Sequence, residues 1–442
     1  MKTFYITTLG CKVNQYESDG IALSLERQGW VKGKKKELSD VCIINTCAVT
    51  SKAGMQSRQA IRKAIRENPD ATIIATGCHA QTDPDQIRKI VQMAQQGQII
   101  CHKDKTQIPS HITALCENTS PLRFQKTDHS NTNTFHSFDT AVKGDMTRAY
   151  LKIQDGCNAF CTYCIVPYAR GSSVSMPEKQ VFHHLNELND AGFKEVILTG
   201  IHAGMYGLDL EKKSSLLQLL EKINDQKPVH RIRLSSIEPG EINEGIINLA
   251  RPGNILCDHF HIPLQSGDDD ILKKMKRPYD VAYFKDMIHK LYDTIPTVGI
   301  GVDTLIGFPS ETDKQFENTY KLIESLPISY LHVFPFSARK GTAAYHFDHK
   351  VDATVIKDRC ARMRRLDKTK RKAFLESNLN RTLQGLVQHT ADPETGLLKA
   401  VTSNYLTVFL NNSHDLKGKI VDLIPEQCDS QMNPMGKIIA ES

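Results

Sequence analysis

Strand-length apolar runs alternate with helix-length patterns along most of this chain. That alternation restricts the fold to parallel sheets covered by helices. Lys2–Leu9, Asp40–Asn45 and Thr72–Thr76 read as strands, followed by helical patterns over Gln15–Gln28, Ser51–Asn68 and Pro84–Gln96. Each strand runs directly into a cysteine: Gly10-Cys11, Thr46-Cys47 and Gly77-Cys78. Parallel sheets bind ligands beyond the carboxyl ends of their strands. Cys11, Cys47 and Cys78 are therefore expected to converge as ligands of one metal cluster. Cys42, Cys101, Cys116, Cys257, Cys360 and Cys428 lie in apolar runs or alone and read as ordinary buried cysteines.

A polar stretch without a period, including His129–His136, marks a linker over 119–145. Alternation then resumes. Strands are expected over Ala149–Gln154, Glu195–Thr199, Arg231–Ser235, His259–Leu264, Gly301–Ile306 and Leu331–Phe334. Helices are expected over Pro177–Ala191, Ser214–Asn224, Ile242–Ala250, Tyr283–Ile295, Thr312–Ser325 and Val355–Asn378. Such units fit an incomplete (βα)6 barrel of TIM type, with its working face at the strand C-termini. The loop after the first barrel strand holds Cys157-Asn-Ala-Phe-Cys161-Thr-Tyr-Cys164. Three thiolates at this spacing can hold three irons of a 4Fe–4S cluster and leave the fourth open to a substrate or cofactor. The competing reading is zinc on the Cys161-Thr-Tyr-Cys164 half, but no second CxxC or HxxxH half follows.

Short strands are expected over Leu383–His389, Leu398–Thr402, Leu406–Leu410, Lys419–Leu423 and Lys437–Ala440, with turn residues between them. They read as a small all-β barrel. The helix preceding it carries Lys357, Arg359, Arg362, Arg364, Arg365, Lys368, Lys370, Arg371 and Lys372. This helix is either a solvated face or a surface for nucleic-acid phosphates. The whole chain has 442 residues and a formal charge of +6, only mildly basic. No apolar run reaches the length of a membrane span. The first residues are polar and strand-like, so no leader, a cytoplasmic location and no disulfides are expected. No Walker motif or dinucleotide fingerprint is present.

The run around Cys157, Cys161 and Cys164, with Tyr163 as its aromatic position, resembles the radical S-adenosylmethionine (SAM) signature. The resemblance implies one 4Fe–4S cluster whose open iron chelates SAM, and SAM contacts on the loops that end the barrel strands. Gly200 would lie near the SAM amino group, and Ser235 and Ser236 near its hydroxyls or carboxylate. Gln265, Asp303 and Phe334 end the fourth, fifth and sixth strands. The final strands, above all Ser403–Phe409, resemble a TRAM domain that binds RNA.

Taken together, the chain resembles the radical SAM methylthiotransferase family. The expected division is a cluster domain over 1–118, a linker over 119–145, a radical SAM core over 146–378 and a TRAM-like domain over 379–442. The resemblance implies two 4Fe–4S clusters, the second on Cys11, Cys47 and Cys78, which passes on the methylated sulfur. SAM at the other cluster yields a deoxyadenosyl radical that activates carbon two of an adenine. Gly10-Cys-Lys-Val-Asn-Gln-Tyr-Glu17 resembles the branch acting on threonylcarbamoyladenosine beside the tRNA anticodon. Lys12, Asn14 and Gln15 are expected to face the incoming base. A flavodoxin- or ferredoxin-type electron donor is implied, and the sulfur donor is left open. The loop after Arg170-Gly171 departs from the family by lacking further arginines. Alternatives are isopentenyladenosine in tRNA, a protein side chain as substrate, and a non-catalytic RNA-binding protein that carries clusters.

Overall fold

The computed structural model describes residues 2–33, 38–94, 96–99, 104–116, 134–139, 146–411, 414–428 and 433–441. Most of the expected linker and Cys101 lie outside these residues, as does the side chain of Cys116.

The first unit is a five-stranded parallel sheet. It comprises β1 (Thr3–Thr8), β2 (Val31–Lys32), β3 (Val41–Thr46), β4 (Thr72–Gly77) and β5 (Gln96–Ile99), in the order β2-β1-β3-β4-β5. β3 and β4 are buried along their whole length, which explains their unbroken apolar runs. Helix α1 (Lys12–Arg27) follows β1, and α2 (Ser51–Glu67) follows β3. The expected helix over Pro84–Gln96 stops at Val91, and the chain enters β5 instead. β2 has only two residues, both exposed, and so carries no apolar pattern to read.

The second unit begins with β6 (Ala149–Lys152). The short strands β7 (Gln154–Asp155) and β8 (Val174–Ser175) form a small antiparallel pair beside it. The barrel continues through β9 (Glu195–Thr199), β10 (Arg231–Leu234), β11 (His259–Gln265), β12 (Gly299–Ile306) and β13 (Tyr330–Pro335). β6, β9 and β10 form one parallel sheet, and β11, β12 and β13 another. The Ser236–His261 bridge joins the two sheets. β6 and β13 do not pair, so this barrel has an open side. The first unit lies across it. Helix α1 shares an apolar core with β6 through Tyr16, Ile21, Leu25, Ala149 and Leu151. Past β13, Ser51 N donates to Ser337 Oγ at 2.7 Å.

The C-terminal unit is a closed barrel of β14 (Leu383–Val387), β15 (Leu398–Thr402), β16 (Thr407–Leu410), β17 (Ile420–Cys428) and β18 (Pro434–Glu441). It packs against the N-terminal ends of the (βα)6 strands. Arg231 donates to the carbonyls of Gln384 and Val401, and Arg233 to those of Ser403 and Thr402. The Tyr405 ring stacks on His259 at 4.4 Å. Gly299 permits this approach, since a Cβ there would come within 2.0 Å of the Asn404 carbonyl oxygen.

The C-terminal unit is therefore more than a detachable module. Arg233 is fully buried, and its guanidinium hydrogen bonds to charged or carbonyl partners contribute about 1.5–3 kcal/mol each. Truncation after residue 378 should lower the thermal midpoint of the remaining chain by well over 10 °C, measured by circular dichroism. A truncated chain that melts like the full one would show that these contacts contribute nothing.

Candidate functional site

Three cysteines meet at the carboxyl edge of the first sheet. Cys11 caps α1, Cys47 follows β3, and Cys78 opens the helix Cys78–Thr82 after β4. Cys47 Sγ occupies the space a side chain at position 10 would need; a Cβ on Gly10 would sit 2.7 Å from it, and Gly10 is left-handed with φ +99°. Burial first, and then the charges of Cys78 and Cys11, push the Cys47 thiol up to about 11. The three thiols therefore sense one another. Cys11, Cys47 and Cys78 thus lie at one edge of the sheet, each just past a strand. Cys42, Cys257 and Cys360 are buried elsewhere, as the sequence suggested, and Cys428 is half-buried.

The second triad lies on the loop after β6. Cys157 Sγ is 3.4 Å from His202 Nδ1, and His202 Nε2 is 2.5 Å from Glu241. Burial works against a charge on His202, but the contacts with Cys157 and Glu241 outweigh it and hold its pKa near 10. Arg277 Nη1 donates to Cys161 Sγ at 3.2 Å and pairs with Glu238. Burial pushes the Cys164 thiol up to about 12. Two cationic donors thus aim at sulfur, an outer shell that stabilises negative charge on a cluster.

A single tetrahedral zinc brings its sulfurs within about 3.8 Å of one another. Among the described residues, the only group with all ligand atoms within 4.8 Å of one another is His261, Asp303 and His332. Neither cysteine triad is drawn together that tightly. Three thiols are the donor set an iron–sulfur cluster takes. A bound cluster would also drive off the protons that burial holds on Cys47 and Cys164.

Arg170 links the triads. It follows Cys164 by one short helix (Val166–Arg170) and is buried. Nη1 donates to Glu17 at 2.9 Å and to Asp155 at 2.9 Å, and Nη2 donates to Asn14 at 2.7 Å. Lys105 and Lys152 complete the network, at 2.7 Å from Glu17 and 2.8 Å from Asp155. Burial alone would raise Glu17, but Arg170, Lys105 and Lys152 hold it down to about 2. Arg170 also interacts with the charges of Cys11 and Cys78. Its loop is thus a buried clasp between units, and the missing arginines after it do not bear on this role.

The remaining expected residues are placed as follows. Tyr163 packs beside its cysteines against Met275 and Phe308. A side chain on Gly200 would press on Gln154 Oε1 at 2.9 Å, so its smallness serves packing as well as any ligand. Ser235 is buried with its hydroxyl unpaired, whereas Ser236 is exposed. Gln265 is left-handed at φ +64°, beside a register shift in β11. Phe334 is exposed at the end of β13 and meets His332 edge-on. Asp303 is engaged: His261 Nε2 lies 2.8 Å and His332 Nδ1 3.2 Å from its Oδ1.

Asn14 and Gln15 do not face an incoming base. Asn14 is buried in the Arg170 network and donates to the carbonyls of Leu9 and Thr46. Gln15 donates to Asp19. Lys12 does face the barrel lumen, where it interacts with Arg148, Arg233, Glu195 and Asp303. Arg277, Glu238 and Glu241 were not singled out from the sequence. Arg277 follows a short helix in an unremarkable Lys-Arg-Pro step, and only folding brings it to Cys161.

A parallel (βα)6 barrel with a three-thiol loop at its working face defines a radical SAM enzyme. Residues 151–323 match the Radical SAM superfamily, and residues 3–96 match the Uncharacterized protein family UPF0004. The chain is 37% identical over 425 residues to the threonylcarbamoyladenosine tRNA methylthiotransferase MtaB of Bacillus subtilis (strain 168), covering 95% of this chain and 93% of the relative. The MtaB of Aquifex aeolicus (strain VF5) is 33% identical, with 94% and 98% covered. A tRNA-2-methylthio-N(6)-dimethylallyladenosine synthase of Clostridium botulinum (strain Okra / Type B1) is 31% identical, with 95% and 93% covered. Among solved structures, the radical SAM methyltransferase TsrM of Kitasatospora setae shares the fold at TM-score 0.55 and 14% identity, covering 76% of this chain and 73% of that one. The chain belongs to the radical SAM methylthiotransferase family. It is an enzyme, and membership brings a 4Fe–4S cluster and SAM. No described helix is long and apolar enough to cross a membrane.

Proposed function

We propose that this enzyme converts threonylcarbamoyladenosine beside the tRNA anticodon to its 2-methylthio derivative, using two 4Fe–4S clusters. The observation that carries the reading is the pair of open cysteine triads, one on each unit, joined through Arg170. Cys157, Cys161 and Cys164 hold the cluster that takes SAM; Cys11, Cys47 and Cys78 hold the auxiliary cluster. The cofactors supply radical formation and methylated sulfur. His202 and Arg277 stabilise charge on the sulfurs of the SAM-side triad, and half-buried Tyr163 shields it. Ser235, with its unpaired hydroxyl, is the SAM contact the geometry favours most. Gly200, Ser236, Gln265, Asp303 and Phe334 stay as proposed neighbours of SAM. The electron donor is of flavodoxin or ferredoxin type, and the protein works in the cytoplasm.

Relatives named for threonylcarbamoyladenosine reach 37% identity, against 32% for those named for dimethylallyladenosine. The deciding experiment gives the reconstituted enzyme both purified tRNAs and reads methylthio nucleosides by mass spectrometry. The threonylcarbamoyl tRNA should react and the isopentenyl tRNA should not. Equal rates would remove the substrate assignment and leave the family intact.

The basic helix Ala353–Asn378 supports tRNA binding less broadly than its sequence suggests. Arg359 pairs with Glu311 and Asp313, Arg362 with Glu317, and Arg371 with Asp367. Lys370 donates to the carbonyls of Glu324 and Leu326. Lys357, Arg364, Arg365 and Lys368 are exposed and are the phosphate contacts we propose. Neutralising these four should reduce the salt dependence of tRNA binding by a slope of about one per lost contact. An unchanged slope would make the helix a solvated face.

A further inference from the structure

We infer that Lys12 and Arg148 form an anion subsite in the barrel lumen that takes the carboxylate on the N6 substituent of the substrate base. This rests on the threonylcarbamoyl reading above and adds the residues that read the group.

The lumen holds more positive charge than its acids can use. Lys12, Arg148, Arg231 and Arg233 face it with four formal charges, against two on Glu195 and Asp303. Both acids are already engaged. Glu195 accepts from Arg231 at 2.7 Å and from Arg233 at 2.8 Å, and it is fully buried. Asp303 is held by His261 and His332. Arg148 reaches Glu195 only at 3.6 Å, and its buried Nη1 makes no hydrogen bond. Lys12 is half-buried and makes no hydrogen bond or ion pair among the described residues. A cluster of buried and half-buried cations with unmatched donors is a site for an anion.

The lower mouth of the lumen is filled. Tyr405 stacks on His259, with the Arg233 and Arg148 guanidinium groups 5.0 and 5.8 Å from its ring. An anion therefore enters from the face where the cysteines lie. Purine geometry then places it. Carbon two and the carbon bearing N6 flank N1 on one edge of adenine. Bringing carbon two to the sulfur source at Cys11 brings the N6 substituent to the neighbouring residue, Lys12. An isopentenyl substituent would leave both cations unmatched, and a threonylcarbamoyl group would match them.

The test uses an anticodon stem-loop carrying threonylcarbamoyladenosine and the same RNA with that carboxylate blocked as its methyl ester. Affinity for the reconstituted protein is measured by fluorescence anisotropy, and methylthiolation by mass spectrometry. The wild-type protein should bind the free acid about tenfold or more tightly than the ester. Lys12→Met and Arg148→Gln should each shrink that ratio, and Lys12→Arg should keep most of it. The acid-to-ester ratio of the wild type needs no variant, so misfolding cannot obscure it. If the wild type methylthiolates the free acid but binds both RNAs equally, the subsite is wrong and the substrate stands. If neither threonylcarbamoyl RNA is methylthiolated while isopentenyl RNA is, the substrate reading falls and the subsite with it.

Discussion

Alanine at Cys157, Cys161 or Cys164 should reduce deoxyadenosine formation from SAM to background, because the electron reaches SAM only through that cluster. Alanine at Cys11, Cys47 or Cys78 should leave deoxyadenosine formation and stop methylthio transfer. Iron content separates the cases. Reconstituted wild-type protein should hold about eight irons per chain, and either triple-alanine variant about four. A wild-type value near four, or stoichiometric zinc, would overturn the two-cluster proposal. The two triads sit on separate units, so each triple variant should keep the other site. From the second triad's loop, buried Arg170 interacts with the charges of Cys11 and Cys78, and Ile165 and Ala169 pack in one cluster with Cys78. If loss of Cys11, Cys47 and Cys78 also removes SAM cleavage under strong reductant, the coupling runs through this loop.

Arg170→Ala should destabilise the protein strongly. Glu17 is almost fully buried and Arg170 nearly so. Removing one partner of such a pair costs about 3–5 kcal/mol, because the remaining charges stay buried. Lys105 and Lys152 would still neutralise part of Glu17 and Asp155, which places the cost toward the lower end. The urea midpoint should fall, and methylthio transfer should fall by more than SAM cleavage, because the units lose their clasp. The double variant Arg170→Met with Glu17→Met should recover much of the stability, since buried ion pairs exchange for apolar pairs at little net cost. Wild-type stability in Arg170→Ala would show that the network is held by other contacts.

Legibility in the sequence followed the range of the interactions. Local periodicity located the (βα)6 strands to within about two residues, and Glu195–Thr199 agrees at both ends; in the C-terminal barrel Leu398–Thr402 agrees, but the strand expected over Lys419–Leu423 runs on to Cys428 and the one over Lys437–Ala440 begins at Pro434. Cysteines at strand ends were legible because a parallel sheet sends consecutive strand ends to the same edge. What escaped depended on partners far along the chain. Arg277 serves Cys161 from 116 residues away, and Arg170 serves Glu17 from 153. No local pattern announces such pairs. The Asn14 and Gln15 expectation failed for a related reason. Helix α1 turns only one residue near its start, Lys12, toward the lumen and ties the next polar side chains inward. The basic helix misled in the opposite way, since a count of charges cannot show that acids on neighbouring helices have already claimed them.

The open side of the (βα)6 barrel has a consequence for how such enzymes can diverge. The helix that lies against β6 begins at Cys11, so the proposed site of the sulfur donor and one wall of the reaction chamber are inherited on the same stretch of chain. Exchanging the first unit between relatives would transplant both at once, and the graft would need the partners of Arg170 at positions 14 and 17 and the packing of Ala48 and Cys78 on its loop. Recombination at a single crossover beyond β5 would thus change what the chamber accepts without disturbing the machinery that generates the radical.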